Sequence, residues 1–257
     1  MNQTPSARWL ALALVAMLVL AGCSTRSISN SGYDGGSPRY GTAAPPSNPF
    51  YRGELSEFDV LGIDRGKTVT EQEIQQAIDS RAPVSLKRGA SVMLIQSGAL
   101  IPDDPMVKAL EKYYTVGVFT GVPPSVQTAS TDASANAAET YARSLRLSAA
   151  RGGYEKVVVY WGLLETAQEN LVTRTVSWVP VVGWALPDQR QRMRIRLKMA
   201  VIDVRSGQWE MFSPEAFDDA SYSARVGRAG SDQAQVWALK DKAYVAAADD
   251  LVKRYGR

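Results

Sequence analysis

No histidine occurs among the 257 residues, and cysteine occurs once. The first absence removes imidazole acid/base catalysis, Ser-His and Cys-His nucleophile pairs and histidine metal sites together. The second rules out an internal disulfide, so fold stability has to come from the core. Charge of one sign is scarce as well. The 29 Lys and Arg against 26 Asp and Glu leave a formal net of +3, which gives no global field of the kind nucleic-acid binding needs. No apolar run is long enough to span a bilayer. No glycine-rich phosphate loop follows an expected strand, and no internal repeat is present, so nucleotide binding and solenoid or propeller folds lack support. No cofactor, metal or nucleic acid is therefore expected.

What is present begins at the N-terminus. Arg8 supplies a positive flank, residues 9–20 form an unbroken apolar run of signal-peptide length, and small residues follow at Ala21 and Gly22. A buried core helix would not account for the cysteine placed next. Leu20-Ala21-Gly22-Cys23 resembles the bacterial lipobox. That resemblance implies cleavage before Cys23, a diacylglycerol on its sulfur and usually a third acyl chain on the new amino group, an anchor far firmer than a single chain. It also leaves no thiol for catalysis. Ser24 stands where lipoproteins kept at the inner membrane often carry Asp, so the resemblance implies the periplasmic face of the outer membrane.

The chain then divides simply: residues 1–22 are a signal peptide, 23–50 a lipidated Cys with a flexible Ser/Gly/Pro tether, and 51–257 a periplasmic α/β domain. Residues 24–50 hold almost no aliphatic side chains and cannot offset the cost of ordering. As a random coil the tether reaches roughly 30 Å. The first dense apolar cluster is Leu55, Phe58, Val60, Leu61 and Ile63. Thr70 with Glu73 forms a capping-box pattern ahead of Ile74, Ala77 and Ile78, and Asp104 before Pro105 reads as the cap of a further helix. Short apolar runs at 91–97, 115–122 and 156–161 read as strands, the last as the sheet centre because of its three consecutive valines. A long helix carrying Tyr141, Leu145 and Leu147 ends at Gly152-Gly153. Residues 193–204 alternate basic and apolar side chains and turn back at 205–207 into 208–212, a late antiparallel hairpin. A helix over about 232–255 carries Val236, Leu239, Ala243, Ala246, Ala247 and Leu251 on one stripe, with Lys240 read as an exposed position. The pattern predicts one α/β (α+β) domain: a mixed sheet with helices packed on it.

From Gly89 to Tyr255 this element order, with Gly152-Gly153, the strand at 156–161 and the hairpin turn Asp203-Val204-Arg205-Ser206-Gly207, resembles the small periplasmic domain of certain lipoproteins. They are the penicillin-binding-protein activator lipoproteins and the curli-secretion lipoprotein, together with the N-terminal domain of the Tol propeller protein. The resemblance implies a binding or assembly role without chemistry.

Candidate functional residues are few. Glu165, Glu169, Asp203 and Glu210 are the carboxylates available for pairing, and solvated strand ends explain them equally simply. The basic stripe of Arg192, Arg194, Arg196 and Lys198 can meet an acidic partner, or pair across strands with Glu residues. Between two strands, residues 171–187 crowd Trp178 and Trp184 among valines and around Pro180, Gly183 and Pro187. They form an expected long connection, which is either an exposed interface or a lid on the core. The reading that follows is a non-enzymatic binding or assembly module, lipidated at Cys23, that meets an envelope protein through Trp178, Trp184, Arg194, Arg196 and Lys198. The alternatives are a carboxylate-based envelope hydrolase and a carrier of lipid or another small ligand.

Overall fold

Residues branched at Cβ favour extended backbone, and the run Val157-Val158-Val159 lies in the longest described strand, Lys156–Glu169. The computed structural model describes residues 26–31, 48, 50–123, 137–169, 176–180, 191–219 and 228–256. In chain order the elements are β1 (Arg26–Ser27), α1 (Glu57–Leu61), α2 (Glu71–Asp79), β2 (Ser91–Gln96), α3 (Asp104–Glu111), β3 (Thr115–Phe119) and α4 (Ala137–Arg151). They continue with β4 (Lys156–Glu169), β5 (Val176–Pro180), β6 (Gln191–Asp203), β7 (Trp209–Phe212), β8 (Phe217–Asp219) and α5 (Arg228–Tyr255).

The strands form one mixed sheet whose main path is β3-β2-β4-β6-β7, with β4 at its centre as expected. β2 pairs in parallel with both β3 and the first part of β4, as strand-helix-strand connections require. β6 runs antiparallel to β4 along nearly its whole length, and β7 continues the late hairpin. Beyond the end of β2, the free edge of β4 is filled first by β1 and then by β5.

Both faces of the sheet are covered, so its central strands are apolar on both sides. On one face Val92, Leu94, Val158, Tyr160, Ile195, Leu197 and Met199 meet Met106 and Leu110 of α3 and Leu239, Tyr244, Ala247 and Leu251 of α5. On the other, Met93, Ile95, Val157, Val159, Trp161, Ala200 and Ile202 meet Leu55, Val60 of α1 and Leu145 and Ala149 of α4. Burying each large side chain fully contributes about 1.5–3 kcal/mol.

Four expectations need correction. Asp103, not Asp104, caps α3, and Pro105 is the second helical residue. α2 forms with its complete Thr70/Glu73 capping box, but it buries none of its residues, so Ile74 and Ile78 face solvent. On the long helices, Leu147 and Ala246 are exposed, while Tyr244 and Ala248 take buried places. Finally, Arg26–Ser31, assigned above to the tether, is built into the domain. Ile28 is fully buried in the larger core.

Candidate functional site

The alternation in β6 puts Arg194, Arg196 and Lys198 on one face, opposite Glu165, Leu163 and Trp161 of β4. Arg194 is mostly buried and donates from Nε to Glu165 Oε2 at 2.8 Å. Its second nitrogen lies 2.6 Å from the same oxygen. Arg196 Nη1 is 3.6 Å from Glu165 Oε1, and its side chain is 57% exposed. Lys198 pairs with Glu57 of α1. Of the two roles open to this stripe, cross-strand and helix-to-strand pairing is thus realised by Arg194, Arg196 and Lys198, with Arg196 the most exposed of the three, while the side chain of Arg192 lies outside the described residues. Beside it lies a groove of about 590 Å³ lined by Phe58, Arg65, Trp161, Leu163 and Arg196 among others.

The segment over 171–187 is not wholly a connection. Val176–Pro180 is a strand, antiparallel to the far end of β4, and Trp178 is in register with Ala167. Trp184 and Cys23 lie outside the described residues, as does the side chain of Trp178. Among the named carboxylates, Glu165 is held by arginines, and Glu210 accepts from the Val84 N–H. Burial pushes Asp203 up, but the Lys156 ammonium and the N–H and hydroxyl of Ser206 outweigh it and hold the carboxyl at about 2. Among the described residues, no group of three or more Cys, Asp and Glu is placed to hold a metal.

The most elaborate polar arrangement surrounds the docked N-terminal segment. Ser29 Oγ donates to Ser97 O at 2.5 Å and accepts from Gln96 Nε2 at 3.0 Å. Gln96 Oε1 in turn accepts from Tyr160 Oη and from the Asp103 N–H. Asp103 Oδ2 accepts from Tyr244 Oη at 2.5 Å and from Lys240 Nζ at 2.9 Å, and Lys240 also donates to Ile28 O at 3.1 Å. Lys240 is only 2% exposed, so it is no surface residue, contrary to its expected place on α5. Burial drives the Tyr160 and Tyr244 hydroxyls well above the ordinary tyrosine range.

Around this network the packing is close. A Cβ on Gly162 would collide with the Ile28 side chain, so that glycine makes the socket for Ile28. Glu54 lies against Ser27, Ser97 and Tyr51. Neither of its buried oxygens gains a hydrogen bond of regular geometry, and burial raises its pKa.

Two signals in the sequence point to this site. Ile28 is the sole branched aliphatic residue between Ser24 and Phe50. Lys240 falls at the helical spacing of Val236, Ala243 and Ala247, inside the apolar stripe rather than opposite it.

The profile of the family described as YafT bacterial lipoprotein matches residues 56–254, most of the chain. The chain belongs to that family. Beyond the YafT lipoproteins, the crystal structure of lipoprotein GNA1162 from Neisseria meningitidis is similar at 15% identity. That match covers 60% of this chain and 99% of the other, with a TM-score of 0.24. No curated protein matches. As a YafT-family member the protein is a bacterial envelope lipoprotein. No helix among its described residues is long and apolar enough to cross a membrane.

Proposed function

We propose that this YafT-family lipoprotein is a non-catalytic binding or assembly module, anchored through acyl chains on Cys23 to the periplasmic face of the outer membrane. The observation that carries the reading is the use made of its buried polar groups. Asp103, Lys240, Gln96, Tyr160 and Tyr244 converge on the backbone and hydroxyls of residues 28–29, and so hold in place the segment just after Cys23. Glu165 and Asp203 are engaged by Arg194 and Lys156 in the same structural manner. The resemblance of the element order to activator and secretion lipoproteins supports an assembly role. Confining such a domain to a surface raises its effective concentration for other envelope components without new contacts. The partner is an envelope protein, and its contact area includes Arg196 beside the groove and the β4-β5 arm that carries Trp178.

Two measurements in cells test this. Replacing Cys23 with Ser should release the protein from the membrane fraction, whereas unchanged fractionation would overturn the anchor. A photoreactive residue at Arg196 or Trp178 should give a specific crosslinked envelope protein that one at Arg205, in the β6-β7 turn, does not. Identical patterns at all three positions would remove the binding-module reading.

A further inference from the structure

The lipid anchor and the fold are separated by very little chain. Only Ser24 and Thr25 stand between Cys23 and β1, so the lipidated residue lies within about 10 Å of Arg26 at full extension. A free tether of 23–50 would let the domain stand well clear of the bilayer. The docked segment instead begins three residues after Cys23.

That end of the fold exposes large apolar side chains. Leu100 is 52% and Ile101 68% exposed, and Phe50 is also largely in solvent. Their position beside the docked segment follows from both flanks of the loop. Before it, a Cβ on Gly98 would lie 3.2 Å from Ser29 and 2.7 Å from the Tyr51 ring, which immediately follows Phe50. After it, Asp103 binds the same Lys240 ammonium that holds Ile28 O. The pole that receives the docked segment therefore carries Leu100 and Ile101 as exposed apolar side chains at a loop tip.

We infer that this pole rests on the lipid surface that holds the anchor, with Leu100 and Ile101 entering the boundary between headgroups and acyl chains. The inference rests on the proposed lipidation of Cys23, because that modification and the two-residue spacer place the bilayer here. Apolar side chains at an interface gain by leaving water, and confinement by the anchor removes most of the entropy cost of their doing so. Asp104 and Arg52 are both exposed near this pole, so charge of neither sign dominates there, and the contact rests on the apolar side chains.

The test uses the lipidated full chain in vesicles of phosphatidylethanolamine and phosphatidylcholine. Acylation occupies the native thiol, so Ile101→Cys introduces a single free thiol for an environment-sensitive fluorophore. Leu100→Cys is the second labelling site, and Arg205→Cys is the control. Arg205 sits beyond the Lys156-Asp203 end of the sheet, about 25 Å along β4 from the Leu163-Leu164 pairing with β1. With a nitroxide on the lipid acyl chains, labels at 100 and 101 should be quenched several-fold more than the label at 205. Equal quenching at all positions in vesicle-bound protein overturns the inference and leaves the anchor intact. A blue shift without lipid quenching assigns the patch to a protein contact, such as a second copy, and also overturns it. A chain that lacks acyl groups by mass spectrometry and stays out of the vesicles overturns the anchor reading, and this inference with it.

Discussion

At the scale of single residues, Lys240 decides more than any other side chain. Its ammonium is enclosed, and it joins the Asp103 carboxylate to a backbone carbonyl 212 positions away. Removing one partner of a buried ion pair leaves the other uncompensated, so Lys240→Ala should cost about 3–5 kcal/mol in chemical denaturation. Lys240→Met combined with Asp103→Leu should cost less than the single change. Glu54 works in the opposite sense. Burial raises its pKa above the ordinary 4.5, so the folded state binds its proton more tightly than the unfolded chain does. Its cost is absent in acid below 4.5 and grows as pH rises through the window between that value and the raised one. Glu54→Gln should therefore raise the denaturation midpoint at neutral pH and leave it nearly unchanged in acid; a variant equally stabilised at both would contradict this account. Neither residue's role was legible from type alone. Lys240 carried a positional signal, its place in an apolar stripe, whereas nothing near Glu54 in sequence marks Ser27 and Ser97 as its neighbours.

At the scale of elements, local patterns identified what each segment becomes and missed what it meets. The capping box at Thr70 and Glu73, the valine run of β4 and the alternation of β6 all depend on neighbours within a few residues, and each produced the expected element. Ile74 and Ile78 share a helical face, but an apolar stripe does not supply the surface that would cover it, and α2 lies exposed. The reverse happened at β1. A segment too polar to fold alone gains order because Gly162 leaves a socket for Ile28 and because Lys240, Gln96 and Asn48 satisfy its backbone and hydroxyls. Composition measures what a segment can bury by itself, and here the burial is provided by partners far along the chain. Ile28→Asp should undock β1 while leaving the main sheet intact. Trypsin should then cut rapidly after Arg26, a bond that should resist in the native protein; equal cleavage in both would show that the segment is not held.

For the whole molecule, the expectation of a mixed sheet with helices packed on it is met, and the sheet is covered on both faces by helices of unequal length. The long α5 and α3 share the larger core, and the short α1 with α4 packs on the opposite face beside the groove that Leu163 and Arg196 line. Protection against hydrogen exchange should follow this layering. Amides of β2 and of β4 over 157–160 should exchange only through global unfolding, and those of α2, which has no buried residue, should exchange orders of magnitude faster. Uniform rates across α2 and β4 would mean that α2 is part of the cooperative unit.

The contact between Ile28 and Lys240 also constrains the order of events during biogenesis. An N-terminal segment is the first part of an exported chain to reach the membrane, yet β1 has no place to dock until β4 exists and α5 has arrived from the far end of the sequence. Contacts between residues so far apart in sequence slow folding. During that interval the segment is unpaired, and under the proposed lipidation it would then be open to the enzymes that cleave before and acylate Cys23. The finished fold then holds residues 26–31, so the same proposal implies a time window for maturation that ends when the C-terminal helix has folded.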